Sequence, residues 1–191
     1  KACIIIIFTL LFVQYSSTVL LISRSARTIN LSHLLPIAQR GEPILQQRAK
    51  PVGNIHDPFI QQFVDNMLAT MQAANGVGIA APQVYMPLRI MIIASKPNAR
   101  YPDAPDMTPE IMFNPEIIWQ SAENCEGWEG CLSVAGWRAP VNRAQALTVR
   151  YQDRQGQHQE RHYSGFVARI VQHEYDHLEG VLFPERLTDS Q

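Results

Sequence analysis

The chain has 191 residues, of which 46% are hydrophobic and 17% are charged, and its formal net charge is -1. This composition suits one globular domain with a buried core, and two full domains would fit poorly into the length. The balanced charge gives no whole-chain attraction to nucleic acid, anionic membranes or acidic ligands. The three cysteines, Cys3, Cys125 and Cys131, argue against a secreted disulfide scaffold and favour a reducing compartment.

Residues 1–30 form an apolar N-terminal segment whose role the sequence leaves open. Lys1 precedes an apolar run at 4–13, and a polar break separates that run from a second apolar patch at 19–22. Neither run reaches the roughly 20 residues of a membrane-spanning helix, and the pattern is closer to a signal peptide. The alternatives are a secretory or anchoring segment, an organelle-targeting leader, translation from upstream of the true start, or an ordinary buried strand.

The first helix is predicted between Asp57 and Gly76. Asp57 suits the N-cap, Pro58 suits the first helical position, and Asn75-Gly76 ends the helix. Its apolar positions predict a face directed to the core. These positions are Phe59, Phe63, Val64, Met67, Leu68 and Met71.

Strand-like runs follow the helix and predict a mostly antiparallel sheet. The runs are 88–94, 111–119, 147–151 and 158–163. The last two are joined by a turn at 153–156, as in a hairpin. The proline-rich stretch 96–109 predicts a surface loop, in which we expect no chemistry.

The last helix is predicted at 165–179, between Ser164 as its cap and Gly180 as its end. It contains His173-Glu174-Tyr175-Asp176-His177, and residues four apart lie one turn above each other on a helix. Both imidazoles can therefore bind one cation. Glu174, beside the first histidine, can reach a water that the cation activates, as a general base must.

A chance match or a solvated helix face are the alternatives to a metal site. The apolar residues just before the histidines indicate that this helix is buried. These residues are Phe166, Val167, Ile170 and Val171. Two histidines and a carboxylate in a buried helix need a partner, which a divalent metal supplies.

A catalytic metal usually has three protein ligands, so one must come from outside the helix. Glu179 and Glu185 are the acidic residues beyond His177, and they are hard to fit to known zinc-protease patterns. Cys131, in the turn 129–133, is the predicted donor. The alternative for a free cysteine is a small buried hydrophobe, which we assign to Cys3 and Cys125.

The glycine-containing segment 76–83 lets the backbone approach a ligand closely. A phosphate-binding loop is excluded, because no Lys-Ser/Thr pair follows and the order is helix then glycines. Alone, the segment could be a plain turn.

Together, the G-x-G-x-A-A-x-Q segment at 76–83, the E-G-C-x-S turn at 129–133 and the H-E-x-x-H helix resemble the peptide deformylase family, over roughly Leu34 to Leu187. The resemblance implies an α+β fold, with antiparallel sheets packed around a C-terminal metal-binding helix and the first helix outside. It also implies a catalytic domain at 31–191. The implied enzyme is a metal-dependent hydrolase that removes the N-formyl group from the N-terminal methionine of new proteins and releases formate.

The family resemblance implies a role for each matching residue. Cys131, His173 and His177 would bind the metal, and Glu174 would take a proton from water and hand it to the departing amine. The side-chain amide of Gln83 and the backbone N–H of Leu132 would stabilise the oxyanion.

The peptide would lie extended along the backbone of Gly78, with its methionine in an apolar pocket. Arg138 would orient this region, or is a surface cation. Glu129 is predicted to bind substrate and to pair with Arg138, and Arg143 is predicted to be structural.

The resemblance implies Fe2+ in the working enzyme, with Zn2+, Ni2+ or Co2+ in some preparations. The implied partners are N-formylmethionyl nascent peptides and the ribosome, without a specific nucleic-acid motif, for a cytoplasmic monomer. Organelle targeting or membrane anchoring through the N-terminal segment is the alternative location. Rival functions are a zinc peptidase, an inactive relative that binds formylated or methionyl N-termini, and a membrane-anchored protein of unrelated function.

Overall fold

The computed structural model describes residues 33–99 and 101–187, so the N-terminal segment predicted at 1–30 lies outside the described residues. Two α-helices and seven strands are found in the described part of the chain, together with three short 3-10 helices. They are α1 (Pro58–Ala73), β1 (Gly78–Ala80), β2 (Ile90–Ile93), β3 (Glu110–Gln120), β4 (Asn124–Cys131), β5 (Val134–Ala144), β6 (Ala146–Gln152), β7 (His158–Ser164) and α2 (Gly165–Glu179). Neither of these helices combines the length and the apolar character that crossing a membrane requires.

The strands form two antiparallel sheets, as the hairpin pattern predicts. One sheet has five strands in the order β1-β2-β3-β6-β7, and the other is the two-stranded β4-β5 hairpin. The predicted β6-β7 hairpin is confirmed, and its turn is closed by Asp153, which accepts hydrogen bonds from the backbone N–H groups of Gln155 and Gln157, both at 2.9 Å. The predicted α+β class is therefore confirmed.

Strand β2 of the five-stranded sheet is buried on both faces of the sheet, to which its successive side chains point alternately. Ile90 and Ile92 of β2 pack in the core with α1. Met91 and Ile93 pack in the core with α2. The sheet thus separates the two helices, and α1 lies outside it as expected.

Helix α2 has two different faces, and this places it between the two sheets. Ala168, Val171 and Leu178 pack against the five-stranded sheet. The opposite side carries Arg169, Gln172, His173 and Asp176, which all bond to β4 or β5. The helix ends at Gly180, whose φ of 77° favours glycine.

The β4-β5 hairpin is absent from our sequence prediction, which gave only a turn around Cys131. The inward residues of β4 are Cys125, Gly127, Glu129 and Cys131, which meet the polar side of α2. Because these residues lack the apolar alternation of a strand on a hydrophobic core, the strand pattern is hidden.

One predicted core residue of α1 is wrong. Phe59 is 63% exposed, whereas its neighbour Ile60 is 8% exposed and belongs to the core. Ile60, Phe63, Val64, Met67 and Met71 follow the helical spacing, and Phe59 falls just outside that stripe. The predicted N-cap is confirmed, because Asp57 accepts a hydrogen bond from Phe59 N at 2.9 Å.

A testable consequence concerns this helix face. We expect Ile60→Ala to lower the free energy of unfolding by about 2 to 4 kcal/mol, because a buried side chain is lost and a cavity remains. Phe59→Ala is the matched control and should change it by less than about 1 kcal/mol, since the ring is mostly exposed. Urea unfolding of both variants measures the difference, and equal losses would contradict the assigned helix face.

Candidate metal centre

Three predicted ligands converge between α2 and the end of β4. One donor atom from each of Cys131, His173 and His177 lies within 4.8 Å of the other two. Cys131 Sγ and His177 Nε2 are 3.2 Å apart. The two histidines are one turn apart on α2, and Cys131 is the last residue of β4, so a helix and a hairpin supply the set together.

The donor set fits a divalent transition metal. Burial alone would raise the pKa of the Cys131 thiol, but its electrostatic interactions and hydrogen bonds with His177 and His173 outweigh burial and lower that pKa well below its ordinary value. The thiol is therefore poised to ionise, as a metal ligand must. One thiolate and two imidazoles suit zinc, iron, cobalt or nickel.

The imidazole of His173 is oriented by Glu129. Its Nδ1 lies 2.9 Å from Glu129 Oε2, and Glu129 is buried. Because Nδ1–H donates to the carboxylate, Nε2 is the atom left for a metal. A carboxylate behind a histidine in this way is a common support for metal ligands.

Two arginines and His173 saturate the Glu129 carboxylate. Arg143 makes a two-pronged contact, from Nε to Oε1 and from Nη2 to Oε2, both at 2.9 Å. Arg169 Nη1 adds a hydrogen bond to Oε1 at 3.0 Å. Burial raises the pKa of Glu129, but His173 and Arg143 together lower it well below its usual range, so the carboxylate stays charged.

The predicted pairing of Glu129 with Arg138 is wrong. Arg138 is exposed, and its guanidinium lies over the Tyr101 ring, 5.1 Å from the centroid. Its position on β5, directly opposite Gly130 of β4, turns it away from the inward carboxylate. Arg143, predicted to be structural, also donates to Asp176 Oδ2 at 2.6 Å and so joins β5 to α2.

Glu174 lies beside the ligand cluster in a buried position at the cavity. The residue is 4% exposed, and Oε2 has no hydrogen-bond partner among the described residues. Burial raises the pKa of Glu174 to about 7. A carboxyl group with a pKa near neutrality can both accept and return a proton.

Gly78 leaves the space that Glu174 occupies. A Cβ at this position would lie 2.8 Å from both Cγ and Cδ of Glu174. That is closer than real Cβ atoms approach a neighbour, so the glycine permits the carboxyl group to reach the site. The segment 76–83 is therefore more than a plain turn.

Gln83 is held with its amide nitrogen toward the cysteine. The residue is 1% exposed, and its Oε1 accepts a hydrogen bond from Ala80 N at 2.8 Å. Its Nε2 lies 3.2 Å from Ser133 Oγ and 3.5 Å from Cys131 Sγ. Fixing the oxygen on the backbone aims the neutral donor into the site.

The segment before α1 connects the Gln83 loop to the cysteine turn. Ala38 N donates to Gln83 O at 2.8 Å, and Arg40 N donates to Ser133 O at 2.7 Å. Gln39 Nε2 donates to the carbonyl of Leu132 at 3.2 Å. The two predicted oxyanion donors, Gln83 and Leu132, therefore lie on separate loops that are both hydrogen-bonded to residues 38–40.

A cavity opens beside these groups and is partly apolar. Gly76, Gly78, Gln83, Cys131, His173 and Glu174 line its polar side. Tyr101, Trp128, Phe166 and Ile170 are among the residues that line its apolar side, and Glu129 and Arg169 also border the cavity. Tyr101 belongs to the loop 96–109, so our expectation that this loop lies away from the chemistry is wrong.

Sequence reasoning missed the ion pairs that connect α2 with the hairpin. Arg169, Gln172, His173 and Asp176 recur at helical spacing opposite the apolar stripe of α2. Because the other side of α2 is apolar and buried, this polar stripe was the sequence signal that the helix also packs against a second, polar surface. Its partner Arg143 on β5 carries no comparable local pattern.

Comparison with known proteins gives a consistent family match. The Polypeptide deformylase family model matches residues 34–191. Peptide deformylase 2 of a Nostoc species is 56% identical over 154 residues, covering 81% of this chain and 86% of that protein. Peptide deformylase 2 of Shewanella oneidensis is 51% identical over 152 residues, covering 80% of this chain and 83% of that protein.

Solved structures agree with the sequence relatives. The Met-Ala-Ser-bound class I type b peptide deformylase of Acinetobacter baumannii has a TM-score of 0.81 and 52% identity, covering 82% of this chain and all (100%) of that one. Peptide deformylase of Thermotoga maritima has a TM-score of 0.73 and 34% identity, covering 82% and 99% respectively.

The support that Glu129 gives to His173 can be tested by Glu129→Gln. We expect metal affinity to fall about 10- to 100-fold, because the imidazole loses its charged acceptor. Stability should fall by roughly 3 to 5 kcal/mol, since the buried Arg169 loses its carboxylate partner and Arg143 keeps only Asp176.

Chelator competition and urea unfolding measure these two effects. Glu160→Gln is the control, because Glu160 is an exposed partner of Arg150. Unchanged metal affinity in the Glu129 variant would contradict its supporting role.

Proposed function

We propose roles for the residues of this site from one premise: the chain belongs to the peptide deformylase family. It is a metal-dependent hydrolase that removes the N-formyl group from nascent peptides. The observation that best supports these roles is that Cys131 lies beside His173 and His177, so that one thiolate and two imidazoles can bind the same ion. Thiolate ligation is foreign to the common zinc-peptidase patterns, so it favours deformylation over peptide cleavage.

We infer that Cys131, His173 and His177 hold one divalent ion, Fe2+ in the working enzyme and Zn2+, Ni2+ or Co2+ in some preparations. When bound, such a cation supplies Lewis acidity that lowers the pKa of water and polarises a carbonyl. Glu129 keeps the His173 ring aligned for this task. Its contacts favour that supporting role over the predicted contact with substrate, which stays a prediction.

Glu174 is the proposed general base and acid. It accepts a proton from the water that attacks the formyl carbon, and it returns a proton to the amine when the C–N bond breaks. The formyl carbon leaves as formate with its new C–O bond, and the peptide is released with a free amino terminus. The buried carboxyl group, with its pKa of about 7, suits both transfers at neutral pH.

Gln83 and Leu132 are the proposed oxyanion donors. As the carbonyl carbon becomes tetrahedral, the side-chain Nε2 of Gln83 and the backbone N–H of Leu132 donate to the charged oxygen. Gln83 supports this role because its oxygen is already bonded to Ala80 N at 2.8 Å. A donor held in advance needs no reorganisation during the reaction.

The peptide is proposed to bind as an added strand along β1. β1 is an edge strand of its sheet, and Gly76, Val77 and Gly78 line the cavity. The methionine side chain would enter the apolar part between Trp128, Phe166 and Ile170. Arg138, at the rim over Tyr101, would orient the peptide.

The deformylase relative from Acinetobacter baumannii was solved with Met-Ala-Ser bound, and we propose a peptide of this class for the groove. The partners are N-formylmethionyl nascent chains, and we propose contact with the ribosome and a monomeric enzyme. The proposed location is the cytoplasm, or an organelle that makes formylated proteins.

Formate release from an N-formyl-methionyl peptide tests the proposed function. We expect iron-loaded parent protein, prepared without oxygen, to release formate. Glu174→Gln should lower kcat by about 10²- to 10⁴-fold while the protein keeps its metal, because the base is lost but the ligands remain. Metal analysis of both proteins is the control, and a folded, metal-loaded parent that releases no formate would refute the function.

The space at Gly78 provides a second test. Gly78→Ala should lower kcat by about 10²-fold, because the added Cβ displaces the Glu174 carboxyl group. Gly53→Ala is the matched control, since a Cβ there meets nothing within 4 Å. Steady-state kinetics of the two variants, at equal metal content, measures the effect. If Gly78→Ala were as active as the parent, the glycine would not be needed to make room for Glu174, and this explanation would be wrong.

A further inference from the structure

We propose that Arg169 is a positioning residue of the metal centre, which holds the β4-β5 hairpin on α2 so that Glu129 stays aligned behind His173. The proposal rests on the metal ligands described above and adds a residue that is not one of the three ligands. Arg169 lies outside the two sequence motifs that contain the ligands, the E-G-C-x-S turn and the H-E-x-x-H segment.

Arg169 lies on α2, one turn before His173, and is 6% exposed. Its Nη1 donates to Val141 O of β5 at 2.6 Å. The same nitrogen donates to Gly127 O of β4 at 3.2 Å. Nη2 donates to Cys125 O, also of β4, at 2.6 Å. One guanidinium therefore joins the helix to both strands of the hairpin.

The same guanidinium reaches the carboxylate behind the ligand. Arg169 Nη1 is 3.0 Å from Glu129 Oε1, and His173 Nδ1 is 2.9 Å from Glu129 Oε2. Arg143 of β5 also bonds Glu129, and it reaches α2 through Asp176. Arg169 comes from the helix that carries His173, one turn before the imidazole. It therefore bonds the carboxylate directly from that helix, whereas Arg143 connects the two only through a second carboxylate.

Gly127 is the counterpart of Arg169. A Cβ at Gly127 would lie 2.9 Å from both Cζ and Nε of Arg169. An arginine tip is usually free to move aside, but this one is held by four backbone or carboxylate acceptors. A side chain at 127 would therefore have to break some of those bonds. The two positions form a pair, in which the glycine makes room for the arginine.

Cobalt binding to purified, metal-free protein is the readout, because it does not depend on catalysis. We expect Arg169→Met to bind Co2+ about 10- to 100-fold more weakly than the parent, the range found when a residue that supports a ligand is lost. The visible absorption of the bound cobalt should also change, because it depends on ligand geometry. Arg150→Met is the control, since Arg150 is an exposed arginine paired with Glu160.

Gly127→Ala tests the same link with all charges kept. It should weaken Co2+ binding in the parent background. In the Arg169→Met background it should add little, because the guanidinium that it displaces is already gone. Arg169→Lys should recover part of the affinity, since an ammonium can reach fewer of the acceptors than the planar guanidinium can.

These experiments distinguish a residue that positions the metal ligands from one that only stabilises the fold. If Arg169→Met and Gly127→Ala lower the unfolding temperature but keep the cobalt affinity and spectrum of the parent, the proposal is wrong. If Arg169→Met does not fold, Gly127→Ala and Arg169→Lys decide by the same readout. A parent that binds no cobalt would refute the metal site itself, which is a different failure.

Discussion

The buried carboxylate of Glu129 is the contact on which the site depends. It lies on the hairpin, but it accepts hydrogen bonds from His173 and Arg169 of α2 as well as from Arg143 of its own sheet. All of its acceptor positions are used, so the charge is compensated without water. Because the ligand histidine and the hairpin meet at this group, the hairpin cannot shift without disturbing the metal ligands.

The two faces of α2 explain how chemistry and folding share one helix. The apolar face joins the main core through residues such as Val171 and Leu178. That packing holds the helix in place while the polar face carries the charges. Glu174 points toward Gly78 at the sheet edge, and His173 points toward the hairpin. The proposed base and the two histidine ligands therefore reach the cavity from one rigid element, which favours precise placement.

Local geometry explains which parts of the site were predictable. Helical spacing fixes His173, Glu174 and His177 relative to one another, and the first helix follows from its cap and its stripe of apolar residues. Cys131 is distant from the helix in sequence, so its prediction as the third ligand rested on the poor fit of the acidic residues after His177 and on the joint pattern of three segments. Arg169 was not found, and Arg143 was predicted to be structural without its partners, because those partners are distant in sequence. The β4 strand was missed for a related reason, since its inward residues face charged groups rather than a hydrophobic core.

The polar interface between α2 and the β4-β5 hairpin is energetically costly to bury. This cost explains why its charged groups are bonded to one another. Burying charges gains little stability by itself, and leaving one unpaired costs several kcal/mol. Each member of the set is therefore bonded more than once: Arg143 to Glu129 and Asp176, and Asp176 also to Arg186. On α2, two buried side-chain atoms have no hydrogen-bond partner among the described residues: Glu174 Oε2 and His177 Nδ1. Both belong to the candidate metal centre, so the unpaired buried polar atoms of this helix lie where we propose the chemistry.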